Sequence, residues 1–518
     1  LFAQADIEGS RIKAHVRFLS SDLLEGRGVG SRGGQLAEEY LAATLASFGL
    51  KPGGENGTWF QTVPMVGVST KSSSTLTASR NGQTVALDWQ KDFAGATHRQ
   101  QRDIDIDAEA VFVGHGIVSA PEKWSDYKGT DVKGKVVVLF TNEPQPENPA
   151  VFKGKTLTYA GRWTYKFEEA ARQGALGCLI IHTTPTAGYG WEVVRNSWSK
   201  EDPQMLLASG KPALAFAGWV TQEAGNRILG LSQRSVEELL KAADSPEFHP
   251  IPLGIRIKAH LTADIREIRS RNVLGRIDGT DPALKDQIVM FTAHWDHLGV
   301  ALPVKGDNVY NGAIDNATGC GVVLDQARVF SQLTNKPKRS LVFAFWTAEE
   351  SGLRGAEYYA AHPIYPPERT ASNINYDALH PSARTKDIVV TGAERTTLYP
   401  MVQEAARRFD LEIAADARPE QGSFYRSDHF MLARIGIPAF KVSLGTRVVG
   451  KSDTFAEEEF RDFNANHYHQ PSDQFQEDWN FASLEQAARF GYLLGLNLAN
   501  SDFLPRWNTG DEFAVPGR

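Results

Sequence analysis

After about residue 264, short apolar runs alternate with longer amphipathic ones. NVLGRI, QIVMFTA, RSLVFAFW, DIVVTG and IPAFKVSL read as strands. GCGVVLDQARVFSQL, LRGAEYYAAH and LYPMVQEAARRF read as helices. This alternation predicts an α/β fold, a mostly parallel mixed sheet flanked by helices. The last helical run, Leu484 to Asn500, opens on Ser483-Leu484-Glu485-Gln486, the spacing of a capping box. Its apolar stripe (Leu484, Ala488, Tyr492, Leu498) needs a sheet to cover. Near the start, QLAEEYLAATLASFGL puts Leu41, Leu45 and Phe48 on one helix face and stops at Gly49. That helix needs the same partner.

Between these segments the texture differs. From about 55 to 105 the chain is polar with short alternating runs, reading as minor strands or an irregular excursion. From 107 to 263, β-type runs such as AVFVGHGIV, KVVVLFTN and LGCLIIHT surround two helix-like stretches, TYKFEEAARQGA and TQEAGNRIL. We therefore expect 1–106 and 264–518 to form one discontinuous domain, with a β-rich α+β module at 107–263 inserted into it. Gly28-Val29-Gly30-Ser31-Arg32-Gly33 is formally GxGxxG, but no apolar strand precedes it, and it reads as a flexible loop.

Composition narrows the class. A chain of 518 residues exceeds one ordinary core. A net charge of -7 argues against a nucleic-acid-binding surface. No apolar run approaches the roughly 20 residues of a membrane helix. The two cysteines, Cys178 and Cys320, read as buried thiols, so neither a disulfide nor a cysteine-based zinc site holds the fold. The opening LFAQA reads as what remains after a signal peptide is removed, which predicts a secreted or periplasmic protein.

The chemistry gathers at the strand ends, where open α/β sheets bind ligands. QIVMFTA delivers His294, with Asp296 two residues on. RSLVFAFW leads to Glu349-Glu350, and SNINY to Asp377. Asp315 opens a helix, and FNANHYHQPSDQF supplies His467 and His469 in a loop. Singly, each has a plain structural explanation: an acid at a helix start, a turn residue, a surface histidine. Together they form a nitrogen and oxygen donor set suited to zinc. Within the tandem glutamate, one carboxylate can bind metal while its neighbour faces water as a general base. Asp296 is placed to accept the second N–H of His294. His115, His182, His249 and His260 are scattered and read as structural.

The motifs AHWDH, NGAIDNATG, FWTAEESGLRGAEYY, NYDAL, YRSDHF and YHQPSDQF, in that order, resemble the co-catalytic dizinc metallopeptidases. That family includes bacterial aminopeptidases and glutamate carboxypeptidases. The resemblance covers the whole chain and implies that 107–263 is a protease-associated domain. It implies two zinc ions, with cobalt or manganese as possible substitutes, bridged by Asp315. His294 and Asp377 would complete one site, Glu350 and His469 the other. Glu349 would be the general base acting on a metal-bridging water, and Asp296 would orient His294. Tyr468 matches an oxyanion-stabilising tyrosine, and Arg426 and Asp428 match a motif lining the substrate pocket, although these two residues also suit a buried structural pair. His297 and His467 are read as decoys. The implied activity is a peptide-cleaving exopeptidase, an aminopeptidase in preference to a carboxypeptidase or dipeptidase. A non-catalytic receptor-like protein or a one-metal glutaminyl cyclase of the same fold are the remaining alternatives.

Overall fold

A computed structural model describes residues 6–144, 152 and 154–515. The LFAQA terminus lies outside the described residues. The chain forms two compact units. One comprises Leu1–Val63, Arg269–Ala417 and Arg426–Arg518; the other comprises Pro64–Ile268 and Arg418–Tyr425.

The first unit is built on a mixed sheet. Its centre is four parallel strands in the order Ala439–Leu444, Thr370–Tyr376, Ile288–His294 and Ser340–Trp346. On one side Asp387–Thr391 joins antiparallel to Ala439–Leu444 and carries Glu412–Ala414 at the edge. On the other, Val273–Ile277 pairs antiparallel with Ser340–Trp346, and Lys51–Pro52 closes that edge. Every residue of Ile288–His294 and Ser340–Trp346 is buried, as expected of parallel strands covered on both faces.

One sheet face carries Val289, Phe291, Phe343, Ile374 and Val442. It packs in one core with the helices Gly9–Leu19, Arg32–Ser47, Thr318–Ser331, Tyr399–Arg408 and Ala482–Asn500. The last helix approaches closely, because a Cβ at Gly495 would lie 2.2 Å from Cζ of Phe291. The other face holds a buried polar network: Thr292 Oγ1 donates to Asn375 Oδ1, and Asn375 Nδ2 donates to Ser427 Oγ. The helix His429–Arg434 lies on that side.

Ser483 does not cap its helix, whose N-cap residue is Phe481 without a side-chain cap bond. Its hydroxyl instead donates to the carbonyl of His380 and accepts from the N–H of Ser382. Gln486 grips both main-chain groups of Thr385 at 2.8 Å. The capping-box pair is thus spent on anchoring the 380–385 loop. The GxGxxG stretch is not loose either. Ser31 caps the helix Arg32–Ser47, accepting from the N–H of Gly34 at 3.1 Å.

In the second unit, Val136–Phe140, Gly177–Ile181 and Phe216–Val220 are parallel and fully buried. The boundary expected at 106/107 falls instead at 63/64. Thr75–Arg80 pairs with Arg256–His260, and Phe93–Ala96 pairs with Ala217–Val220. Leu76, Leu87 and Phe93 are buried in this unit's own core, so 64–106 belongs with it. NVLGRI, read as a separate strand, is the end of the long strand Ile251–Ile277.

Among the described residues no helix is long and apolar enough to cross a membrane. Both cysteines are free and buried. Burial pushes the Cys320 thiol up to about 12 and Cys178 higher still, so both remain protonated across the physiological range. A thiol reagent at pH 8 is expected to label neither in the folded protein and both in denaturant; rapid labelling of the folded protein would contradict this packing.

Candidate metal centre

His294 ends a central strand, and the neighbouring strands end at the same height. The register pairs His294 with Trp346, from which the chain runs on to Glu349 and Glu350. Thr370–Tyr376 leads directly to Asp377. Asp315 sits in the turn Ala313–Ala317, immediately before the helix Thr318–Ser331. His469 follows the helix Phe455–Asn466 in a loop, with a positive φ of 56°.

These side chains meet. Nε2 of His294 lies 3.3 Å from Oδ1 of Asp315, 3.4 Å from Oδ1 of Asp377 and 3.9 Å from Oε2 of Glu349. Nε2 of His469 lies 2.9 Å from Oε2 of Glu350 and 3.7 Å from Oδ2 of Asp315. Asp315 therefore turns one oxygen to each histidine. The five residues read as ligands, together with Glu349, form one buried cluster.

Asp296 departs from its expected part. Its carboxylate is 3.8 Å from Nδ1 of His294. It instead accepts the main-chain N–H groups of Glu349 at 3.0 Å and Glu350 at 3.4 Å. His294 is oriented by the main-chain carbonyl of Asp296, 3.2 Å from Nδ1. The Asp296 carboxylate is thus the brace of the tandem-glutamate turn.

The hydroxyl of Tyr468 lies 3.4 Å from Nη2 of Arg426, and its ring centroid is 4.0 Å from that of His469. Asp428 is fully buried, and neither of its carboxyl oxygens has a partner among the described residues. It is therefore not paired with Arg426. Of the two decoys, His467 turns away, with Nδ1 against the carbonyl of Ser472. His297 is buried, with Nδ1 2.6 Å from Oε1 of Glu350. Sequence reading also passed over Lys441, whose Nζ lies 3.5 Å from Oδ2 of Asp377. Two further residues brace the turn that carries Asp315. Asp473 accepts the N–H groups of Ile314 and Asp315 at 2.9 and 3.1 Å. The buried Arg27 donates to the carbonyls of Leu19, Trp295, Asn311 and Gly312. The signal for Arg27 was its place between Gly26 and Gly28, immediately before the stretch read as a flexible loop.

The electrostatics call for a cation. Burial, reinforced by Asp377, Asp428 and Glu350, pushes Glu349 well above the usual carboxylate range. Burial alone would lower His294 and His469. The surrounding carboxylates outweigh it, raising His469 to about 9 and His294 well above its ordinary value. In Glu350 and Asp377, burial is outweighed by histidines and, for Asp377, by Lys441, and both fall to about 2. Three sets of donors each lie within 4.8 Å of one another: His294 with Glu349 and Glu350, His294 with Asp315 and Asp377, and His297 with Asp315 and Glu350. Buried carboxylates facing imidazole nitrogens are a donor set for zinc.

Comparison with solved structures shows the fold over almost the whole chain. An aminopeptidase from Aneurinibacillus sp. strain AM-1 superposes with a TM-score of 0.56 and 20% identity, covering 96% of this chain and 95% of that one. A zinc aminopeptidase from Bacillus subtilis superposes with a TM-score of 0.50 and 17% identity, covering 95% of each. Fold and donor set together define the class, an α/β protein with the fold of these two structures and a buried nitrogen and oxygen donor set at its strand ends. More narrowly, residues 272–490 match the model of peptidase family M28. Carboxypeptidase Q from Xenopus laevis is 26% identical over 48% of this chain and 42% of its own length. Aminopeptidase NAALADL1 from Rattus norvegicus is 33% identical over 34% of this chain and 24% of its own length. The chain thus spans less than half the length of these curated relatives.

Proposed function

We propose that the protein is a zinc-dependent exopeptidase, an aminopeptidase, whose centre takes two zinc ions. The observation that carries this reading is Asp315, whose two oxygens face the two histidine-carboxylate halves of the cluster. His294 and Asp377 would hold one ion, Glu350 and His469 the other, with Asp315 shared. Zinc held there supplies Lewis acidity toward a scissile carbonyl and toward water. The chain's own residues do the rest. Glu349, with its turn braced by Asp296, takes a proton from the attacking water and passes it to the leaving amine. Tyr468 is placed beside His469 to donate a hydrogen bond to the developing oxyanion. The module Pro64–Ile268, with its buried parallel strands, supports assignment as the protease-associated domain.

The aminopeptidase reading rests on charge. A cluster rich in carboxylates suits a free α-ammonium. A glutamate-type carboxypeptidase needs an arginine cluster, yet Arg354 pairs with Glu357 and Arg426 with Tyr468. The relative named carboxypeptidase Q and the cation Lys441 beside Asp377 favour the second reading, a carboxypeptidase. Comparing an amino-acyl anilide with an N-blocked dipeptide on the zinc-loaded protein separates them. Faster hydrolysis of the anilide is expected; preference for the blocked dipeptide would overturn the aminopeptidase assignment.

A further inference from the structure

His297 is the residue that the cluster holds and the proposed ligand assignment leaves without a task. It is fully buried one position beyond Asp296, and its main-chain N–H donates to the carbonyl of Arg27 at 3.3 Å. Its ring is walled in. A Cβ on Gly312 would lie 2.4 Å from Cγ and 2.6 Å from Cδ2 of that ring, so only glycine fits at 312 with the imidazole in this place. The ring stands edge-on to that of His469, with centroids 5.8 Å apart. Its Nδ1 is 2.6 Å from Oε1 of Glu350, while Oε2 of Glu350 is 2.9 Å from Nε2 of His469. The two oxygens of Glu350 thus have different neighbours. Nε2 of His297 is buried and meets no partner among the described residues. A nitrogen without an acceptor to donate to is the one that carries no proton, which places the imidazole N–H on Nδ1, facing Glu350.

We propose that His297 is a positioning residue for the second metal pocket: it donates Nδ1–H to Oε1 of Glu350 and so turns Oε2 toward His469 and Asp315. A carboxylate held at one oxygen has lost the rotation that would let it swing from the pocket. It then offers a single donor atom in a fixed place. Asp296 braces the main chain of the same glutamate, and His297 braces its side chain. The ligand is a divalent cation such as zinc. This inference rests on the two-ion reading and assigns a residue to one half of it.

The test is a zinc titration of the full-length protein in competition with a chromophoric chelator. Wild type is compared with His297→Ala and His297→Asn, and the melting temperature of each metal-free protein controls for folding. The side-chain amide of Asn can place an N–H close to where Nδ1–H lies. In His297→Ala, affinity for the second zinc equivalent should fall by roughly 10–100-fold, with the first equivalent unchanged. His297→Asn should recover most of that loss. Equal second-equivalent affinity in wild type and His297→Ala would overturn the proposal, as would an alanine variant whose only change is a lower melting temperature. Complete loss of the second zinc in both variants would make His297 a ligand and overturn the positioning role. A wild type that takes up only one zinc would fail the two-ion reading itself, and it would do so before any variant is measured.

Discussion

Glu349→Ala is expected to retain zinc and to lose nearly all turnover. Removing a positioned general base costs about 10²–10⁴-fold, which is roughly 3–5 kcal/mol of barrier. The geometry explains why the metals should survive. Nε2 of His294 is closer to Asp315 and Asp377 than to Glu349, at 3.3 and 3.4 Å against 3.9 Å. The second half of the cluster, Glu350 with His469, does not involve Glu349. The Asp296 brace grips main-chain N–H groups, which alanine keeps. Elemental analysis alongside kcat/KM on an amino-acyl anilide makes the measurement. Unchanged zinc with wild-type turnover would remove Glu349 from the mechanism. Lost zinc would make it a ligand instead.

The sequence was most readable where one physical demand dominates. Ile288–His294 and Ser340–Trp346 are apolar throughout because both faces are buried, and their strand character was plain. The recurrence of acids and histidines at the ends of such strands located the cluster before any distance was known. Thr370–Tyr376 was harder, because it carries the polar Ser372, Asn373 and Asn375, which donate to the Pro438 carbonyl, Thr292 Oγ1 and Ser427 Oγ. The boundary at 63/64 was hidden because it falls within one continuous strand, Phe60–Thr70, with no loop in the sequence to mark it. Direction of hydrogen bonding was not legible at all. Asp296 stands two residues from His294, yet its carboxylate serves the main chain of residues more than fifty positions away. Ser483 and Gln486 have capping-box spacing and serve a loop. His297 read as a decoy because sequence adjacency says nothing about which way a ring turns past a glycine.

Removing metal with a chelator is expected to abolish peptidase activity, and adding zinc to restore it. The same treatment exposes a pH-dependent instability. In the metal-free protein His294 and His469 take up protons to balance the carboxylates, with His469 raised to about 9. Glu349 and Asp428 are also raised, chiefly by burial. For all four groups the folded state binds more protons than the unfolded state. Their stabilising protons are therefore lost as pH rises, from the ordinary carboxylate range through about 9. Glu350 and Asp377, lowered to about 2, act the other way and weaken the fold only in acid. These four groups should thus contribute less to the stability of the metal-free protein at pH 8.5 than at pH 5.5. Zinc must displace these protons to bind, so its affinity grows with pH. At about a hundredfold excess over Kd it contributes about 2.7 kcal/mol. The zinc-induced rise in melting temperature should consequently be larger at pH 8.5 than at pH 5.5. Full activity of protein shown by elemental analysis to hold no metal would sink the metallopeptidase reading. A zinc-induced shift that is the same at both pH values would sink the claim that protons stand in for the metal.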